Sequence, residues 1–338
     1  IYYILNTAII IVLSYFKINI IMVRLVALLS IILKSLLLYV YGKKHYKNIE
    51  YNLKSNKKLI DKRWDALYLQ ILGVIQNATP VILLTFFTNL ITVSIYTVYN
   101  MVIQGINSIL SVFTNGLYTS FGDIIAKKET NKLQETSKEF EYIYYNLLII
   151  IYSCSFALIM PFISIYASNL DTNYYFPLVG FLFVLNGLLY NLKTPQGMLV
   201  MSAGLYKETK WQTTFQGLLI IFIGIILTPK YKIVGILIAL IISNLYRDID
   251  LLIFIPKKLT HLSISTTLKK QIKLFVLMGI IIYIYSNIDF QIYNYIDWCL
   301  SGVVILVISF LVIIVNDFIF DREDLKKFFN RIKMLLKI

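Results

Sequence analysis

Uninterrupted apolar runs are the feature that most constrains what this chain can fold into. An α-helix crosses a bilayer with about 20 consecutive apolar residues, and runs of that length recur along the sequence. The strands of membrane β-barrels alternate apolar and polar residues, so continuous runs exclude a barrel. A charged fraction of only 15% excludes an ordinary soluble protein. We therefore predict an all-α polytopic membrane protein with about ten transmembrane helices. The predicted segments are residues 1–16, 20–42, 66–88, 90–120, 143–166, 175–202, 211–228, 233–255, 274–287 and 296–316.

The basic residues predict the orientation of these segments. If residues 43–63 are cytoplasmic, alternation places 121–142, 203–210, 256–273 and everything after residue 317 on the same side. That side then holds 25 of the 32 Lys and Arg residues and the opposite side holds three, as the positive-inside rule requires. We accordingly predict that both termini are cytoplasmic. The net charge of +14 is then a topology signal, and we expect no nucleic-acid partner.

A stripe of polar side chains marks the fourth segment. Counting from Tyr96 at 100° per residue, a set of polar side chains falls within about a 100° arc of a helix: Asn100, Gln104, Asn107, Ser111, Thr114 and Asn115. Packing between helices explains a single Asn in a membrane helix, whereas a full stripe favours the wall of a wet cavity; polar packing is the alternative. Weaker stripes mark the third and sixth segments. The predicted cavity-lining residues are Asn77, Tyr96, Asn100, Gln104, Asn107, Asn115 and Asn186.

Four basic side chains lie inside the predicted segments, where charge is costly and usually functional. Lys34 is close enough to the inner end of its segment to snorkel to water, and Arg24 has the same alternative at the outer end. Lys193 is deeper and lies near Pro195, which bends a helix. Arg247 adjoins two aspartates, and an ion pair with them is the alternative to ligand binding. Because basic groups outnumber acidic ones in the segments, a cavity built this way favours an anion such as a phosphate, and the candidate ligands are Arg24, Lys193 and Arg247.

Motifs for catalysis, metal binding or nucleotide binding do not occur in the sequence. There is no phosphate-binding loop of the ATP-driven kind and no nucleophile elbow or zinc-protease motif. The two histidines and two cysteines are too scattered for a zinc site. We therefore predict no enzymatic activity, no metal and no cofactor, and we leave open a coupling to a proton or sodium gradient.

Five stretches of the chain resemble a known family, in the family's own order. The longest is VSIYTVYNMVIQGINSILSVFTNGLYTSFGDIIAKKE at 93–129. The others are YGKKHY at 41–46, DTNYYFP at 171–177, SAGLYKETK at 202–210 and SNLYRDID at 243–250. They resemble helices and loops of the bacterial polysaccharide flippases. These are the O-antigen and capsule repeat-unit transporters of the multidrug/oligosaccharidyl-lipid/polysaccharide exporter superfamily.

The resemblance implies part of a fourteen-helix fold with two six-helix lobes and a terminal helix pair. The segments would be helices five to fourteen of that fold, so we expect the chain to lack the first four. The implied domains are residues 1–42, the last two helices of an incomplete N-terminal lobe; 43–65, a basic cytoplasmic linker; 66–255, the six-helix C-terminal lobe; 256–273, a basic cytoplasmic loop; 274–316, the terminal pair; and 317–338, a basic amphipathic cytoplasmic tail.

The function that the resemblance implies is transport. Such a protein flips a polyprenyl-pyrophosphate-linked oligosaccharide across the bacterial cytoplasmic membrane by alternating access. Its partners are that lipid-linked oligosaccharide, membrane lipid and polysaccharide polymerase components. Its basic groups would hold the pyrophosphate, and its polar stripes would solvate the sugar.

One departure from the family pattern concerns Asn77, which is followed by Ala78 where many members carry an Asp. This departure puts cation coupling through that position in doubt. Within the superfamily, the alternatives are a peptidoglycan-precursor lipid flippase and a drug/cation antiporter. From another class, the alternative is a membrane polysaccharide polymerase or ligase.

Overall fold

The computed structural model is built of helices. It describes residues 2–16, 18–45, 63–168, 170–288, 290–323 and 325–326. The structure is 89% helical and has no strand within those ranges, which confirms the all-α class. The α-helices are α1 (Tyr2–Tyr15), α2 (Ile20–His45), α3 (Arg63–Phe87), α4 (Leu90–Asn115), α5 (Leu117–Ala126), α6 (Thr130–Tyr166), α7 (Pro177–Leu192), α8 (Thr194–Ser202), α9 (Tyr206–Ile255), α10 (Ile264–Ser286) and α11 (Tyr295–Phe320), and a π-helical turn at Pro256–Thr260 follows α9.

Five helices of the described part are long and apolar enough to cross a membrane, as expected of a multi-pass membrane protein. The larger number of spans predicted from the sequence is not confirmed. The segment 175–202 is divided between the short helices α7 and α8, and α9 joins two predicted segments. The helix α1 is shorter than a span, and α4 and α10 are not among the five. The five spans are Ile21–His45, Arg63–Phe87, Thr130–Tyr166, Tyr206–Thr260 and Tyr295–Phe320.

The chain forms two compact units, residues 1–60 and 61–338. In the first unit α1 and α2 form a hairpin, across which the Ser30 hydroxyl donates a hydrogen bond to Asn6 Oδ1 (3.3 Å). In the second unit α3 to α11 surround one apolar core. Most of the predicted linker and of the predicted amphipathic tail lies outside the described residues, namely 46–62 and 327–338.

The helix α9 is a hairpin of two arms rather than one straight helix. Its backbone turns at Lys232, whose dihedral angles (φ 49°, ψ −123°) are not helical. Residues 206–231 and 233–255 therefore form a first and a second arm. The Ser243 hydroxyl on the second arm donates to the Gln216 carbonyl oxygen on the first (3.2 Å), so the arms run side by side in opposite directions. This turn agrees with the boundary predicted between residues 228 and 233.

At one end of the second unit, hydrogen bonds and an ion pair join several of the segments that connect successive helices. The segments joined there carry the basic connections that the sequence predicts to share one side of the membrane. The orientation of this end toward the cytoplasm stays a prediction. The contacts are Lys210 Nζ to Asp65 Oδ1 (3.4 Å), the Ser202 hydroxyl to the Tyr118 carbonyl (3.1 Å), Gln134 Nε2 to the Thr260 carbonyl (2.8 Å) and Lys270 Nζ to the Lys138 carbonyl (2.8 Å).

Gly235 allows the arms of α9 to approach each other at the turn. A Cβ atom there would lie 2.5 Å from the Leu227 carbonyl oxygen, so the backbone itself would have to move. We expect Gly235→Ala to destabilise the protein by about 1–3 kcal/mol, measured as a lower melting temperature in detergent. Gly279→Ala is the control, because a Cβ there has nothing within 4 Å and alanine favours a helix. Equal melting temperatures for the two variants would contradict the close approach at Gly235.

Candidate functional site

The candidate site is built on an interruption in the predicted sixth segment. The helix α7 ends at Leu192 and α8 begins at Thr194, with Lys193 between them as the residue that caps both (φ −81°, ψ −5°). Pro195 lies in the first turn of α8, where its missing N–H group is tolerated. The interruption therefore falls at Lys193, two residues before Pro195.

The ammonium group of Lys193 is held by neutral groups. It donates a hydrogen bond to Asn244 Oδ1 on the second arm of α9, and it lies 5.1 Å from the centre of the Tyr190 ring. Asn244 is itself held, because its Nδ2 donates to Asn186 Oδ1 (2.9 Å) and Gln216 Nε2 on the first arm approaches its Oδ1 (3.5 Å). An amide oxygen therefore accepts the hydrogen bond that a carboxylate would otherwise accept from this cation.

Charged groups of both signs surround this centre. Arg247 is buried and pairs with Asp250 Oδ2 (2.5 Å). Asp248 is also buried and accepts a hydrogen bond from Gln271 Nε2 on α10 (3.1 Å). Lys193 interacts electrostatically with both Arg247 and Asp248. Two cations and two carboxylates therefore balance in this cluster, whereas the sequence predicts an excess of basic groups.

The structure brings together two of the three predicted anion ligands. Lys193 and Arg247 share the cluster, but Arg247 pairs with Asp250, which is the ion-pair alternative that the sequence leaves open. The side chain of Arg24 lies outside the described residues, and its helix belongs to the other compact unit. Asn186, one of the predicted cavity-lining residues, joins the cluster through Asn244.

The other predicted cavity-lining residues occupy different environments. Gln104 and Asn115 on α4 and Asn77 on α3 are exposed, and Asn100 is partly buried. Tyr96 lies in the core instead, 4% exposed, with its ring centre 5.0 Å from that of Phe183. Tyr96 and Thr114, 18 residues apart, share one edge of the predicted arc, and both are buried, so this edge of the stripe packs against the core.

Asn191 forms a second polar centre, which the sequence analysis does not identify. Its Nδ2 lies within hydrogen-bonding distance of Asn107 Oδ1 (2.7 Å), the Tyr152 hydroxyl (2.8 Å) and the Gly187 carbonyl (3.0 Å). The Tyr144 hydroxyl donates to its Oδ1 (3.3 Å). Asn107 therefore makes a polar packing contact between α4 and α7. The sequence signal that Asn191 and Asn244 share is an amide within three residues of a basic side chain inside a predicted segment, Lys193 for one and Arg247 for the other.

A fully buried carboxylate joins the last two helices to α6. Asp317 on α11 is 0% exposed and accepts a hydrogen bond from the Tyr142 hydroxyl. Asn146 Nδ2 donates to the same carboxylate (3.2 Å), and Lys273 Nζ on α10 lies 2.5 Å from its Oδ1. Three helices therefore meet at this one acidic side chain.

Glu141 on α6 is held in a similar way, close to the first turn of α10. The Thr267 hydroxyl and Gln196 Nε2 each donate to its Oε1 at 3.0 Å. Lys270 Nζ lies 3.5 Å from its Oε2. Because α10 supplies one lysine to Glu141 and another to Asp317, these two carboxylates attach α10 to the bundle.

No family model, no curated protein and no solved structure matches this chain. The resemblance to the polysaccharide flippases therefore depends on the five quoted stretches, and it enters the function below as part of a proposal.

Breaking the Lys273–Asp317 pair should be costly, because Asp317 is fully buried. Lys273→Met leaves the carboxylate without its cation, and breaking a buried pair costs about 3–5 kcal/mol. We expect a large loss of thermal stability for the purified protein in detergent. Lys127→Met is the matched control, since Lys127 pairs with Asp123 on an exposed surface, where a pair contributes at most about 1 kcal/mol. If both variants melt at the same temperature, Asp317 does not depend on Lys273.

Proposed function

We propose that the chain is a transporter that flips a polyprenyl-pyrophosphate-linked oligosaccharide across the bacterial cytoplasmic membrane. The observation that carries the proposal is the Lys193 ammonium, which lies at an interrupted helix inside an apolar bundle and is bonded to the neutral amide of Asn244. An ionisable residue at such a place is a functional-site hypothesis by default. An ammonium has three N–H donors, so Lys193 can bind phosphate oxygens while Asn244 keeps it in position.

The exposed face of α3 and α4 supports the second part of the proposal, the sugar. Gln70 and Asn77 on α3 and Gln104 and Asn115 on α4 are all exposed in the second unit. Hydrocarbon does not satisfy amide groups, so we expect this face to line water or a polar ligand rather than lipid. Amides both donate and accept hydrogen bonds, which suits the hydroxyl groups of a sugar.

The transporter that we propose has about ten spans. Its basic connections and both ends of the chain lie in the cytoplasm. Its second unit corresponds to one lobe and the terminal pair of the two-lobe fold. The support is the common end at which the connections around Asp65, Lys210, Lys138 and Lys270 meet. Alternating access then consists of the exposure of the Lys193 centre first to one side of the membrane and then to the other.

A drug/cation antiporter of the same superfamily is the second candidate. The observation that favours it is Asp248, a carboxylate buried inside the bundle, because a cationic drug needs an acidic partner. This candidate predicts that a lipophilic cation such as ethidium binds and that an isoprenyl pyrophosphate does not.

Lys193→Gln should weaken the binding of an isoprenyl pyrophosphate. Glutamine retains hydrogen bonding but loses the charge, and a hydrogen bond to a charged group contributes about 1.5–3 kcal/mol. We expect the Kd of farnesyl pyrophosphate to rise about 10- to 100-fold, measured by calorimetry on the chain in lipid nanodiscs. Any flipping of a fluorescent lipid-linked oligosaccharide by the reconstituted protein should fall with it.

Two variants serve as controls for this measurement. Lys193→Arg should retain part of the affinity because it retains the charge. Lys34→Gln, at an exposed position of α2, should leave the affinity unchanged. Wild-type affinity in Lys193→Gln, at normal protein levels, would remove the phosphate site from the proposal.

Cysteine labelling tests the proposed orientation. In a background without Cys154 and Cys299, single cysteines at Asn52 and Ser263 should resist a membrane-impermeant thiol reagent in intact cells. A cysteine at Asn173, in the connection before α7, should react, because that connection is predicted to lie outside. Labelling of position 52 or 263 from outside the cell would reverse the topology.

A further inference from the structure

Asp248 is a buried carboxylate to which the proposed transport step gives no role. It lies on the second arm of α9, four residues after Asn244 and therefore on the same helix face, and it is 5% exposed. Gln271 Nε2 donates to its Oδ1 (3.1 Å). Lys193 is the cation on this side of the arm, because its ammonium donates to Asn244, which lies on the same helix face as Asp248.

The other charged groups near Asp248 are engaged with one another. Arg247 and Asp250 on the same arm form their own pair. Glu141, from α6, is bonded to Thr267 and paired with Lys270. Lys193 is therefore the charge on which the ionised form of Asp248 depends. Other titratable groups on the elements packed around this arm include Tyr145 on α6, Tyr190 on α7, Tyr246 on the arm itself, Asp65 and Tyr68 on α3 with Lys210 on the first arm, Lys273 on α10 with Asp317 and Asp321, and Lys257 and Lys258 after α9.

The surroundings of Asp248 suit a proton better than a metal ion. Hard metal cations take about six oxygen ligands, whereas Asp248 is approached by an amide N–H donor and an ammonium. Among the residues that the structure describes, no three His, Cys, Asp or Glu side chains are grouped to hold a metal. A proton needs only one carboxylate oxygen that can accept it, and the hydrogen bond from Gln271 goes to Oδ1, so Oδ2 is the candidate acceptor.

We propose that Asp248 binds a proton when an anionic pyrophosphate binds Lys193, a step that rests on the proposed function. Two cations and two carboxylates balance in the empty cluster, so the incoming anion adds negative charge beside Asp248. It also competes for the facing ammonium. Both effects disfavour the ionised carboxylate. A hydronium ion then transfers its proton to Oδ2 and leaves as water. The transfer converts the carboxylate of Asp248 to a neutral carboxylic acid and changes no other bond.

Infrared difference spectroscopy on the 338-residue chain in lipid nanodiscs tests this step. A protonated carboxyl group has its own C=O stretching band, which an ionised one lacks. Adding farnesyl pyrophosphate should produce this band in the wild type and in Asp171→Asn, an exposed control in the connection before α7, but not in Asp248→Asn. A band that persists in Asp248→Asn overturns the proposal. So does a wild-type chain that binds farnesyl pyrophosphate without producing the band.

Two further measurements keep the test decisive. If Asp248→Asn does not fold, Asp248→Glu should shift the frequency of the band, and an unshifted band overturns the assignment. The second measurement uses the ligand-free chain, in which Lys193→Gln removes the cation beside Asp248. Because the ionised carboxylate is then less favoured, the C=O band of the protonated form should appear at a higher pH than in the wild type. The same onset pH in both proteins overturns the dependence of Asp248 on Lys193. If the wild type does not bind farnesyl pyrophosphate but this pH shift is present, the proposed function fails and the proton site stands.

Discussion

A polar group inside a membrane bundle must find its partner within the protein, because hydrocarbon offers none. This constraint gathers the polar residues of the second unit into networks. Lys193 is bonded to Asn244, and Asn244 is bonded to Asn186. Each bond joins a different stretch of chain, so the position of the ammonium depends on the packing of α7 against the second arm of α9. A buried donor or acceptor left without its hydrogen bond would cost about 1–3 kcal/mol, so these bonds favour this packing of the helices over others.

Interruptions in the helices bring the members of these networks together. The break between α7 and α8 places Lys193 between two helix ends, and the turn at Lys232 brings Asn244 back beside Gln216. Discontinuous helices are the usual places for substrate and ion sites in transporters. The Lys193 centre has this construction, and α3 and α4 of the same unit carry exposed amide side chains.

The buried carboxylates differ in what neutralises them. Glu141 and Asp317 each have a lysine of α10 nearby, so their charges are compensated by groups that also attach the helices to one another. Asp248 accepts its hydrogen bond from a neutral amide, and its facing cation is the residue proposed to bind the substrate. Occupation of Lys193 by an anion therefore changes the surroundings of Asp248 and leaves the other two carboxylates with their lysines. This contrast is the reason why we propose the proton site at Asp248 rather than at Glu141 or Asp317.

The sequence by itself determined the helical membrane class, because continuous apolar runs leave helices as the backbone arrangement that lipid permits. It also singled out Lys193, Arg247 and Asn186 as unusual, and it offered Arg247 an ion pair with a neighbouring aspartate. Arg247 does pair with Asp250, three residues later on the same arm, so that contact is local. The sequence did not predict the partner of Lys193. The helical period says which residues share a face but not what lies opposite that face. Only the packed helices could place Asn244 against Lys193 and bury Tyr96 against Phe183, because each of these contacts joins side chains from different helices.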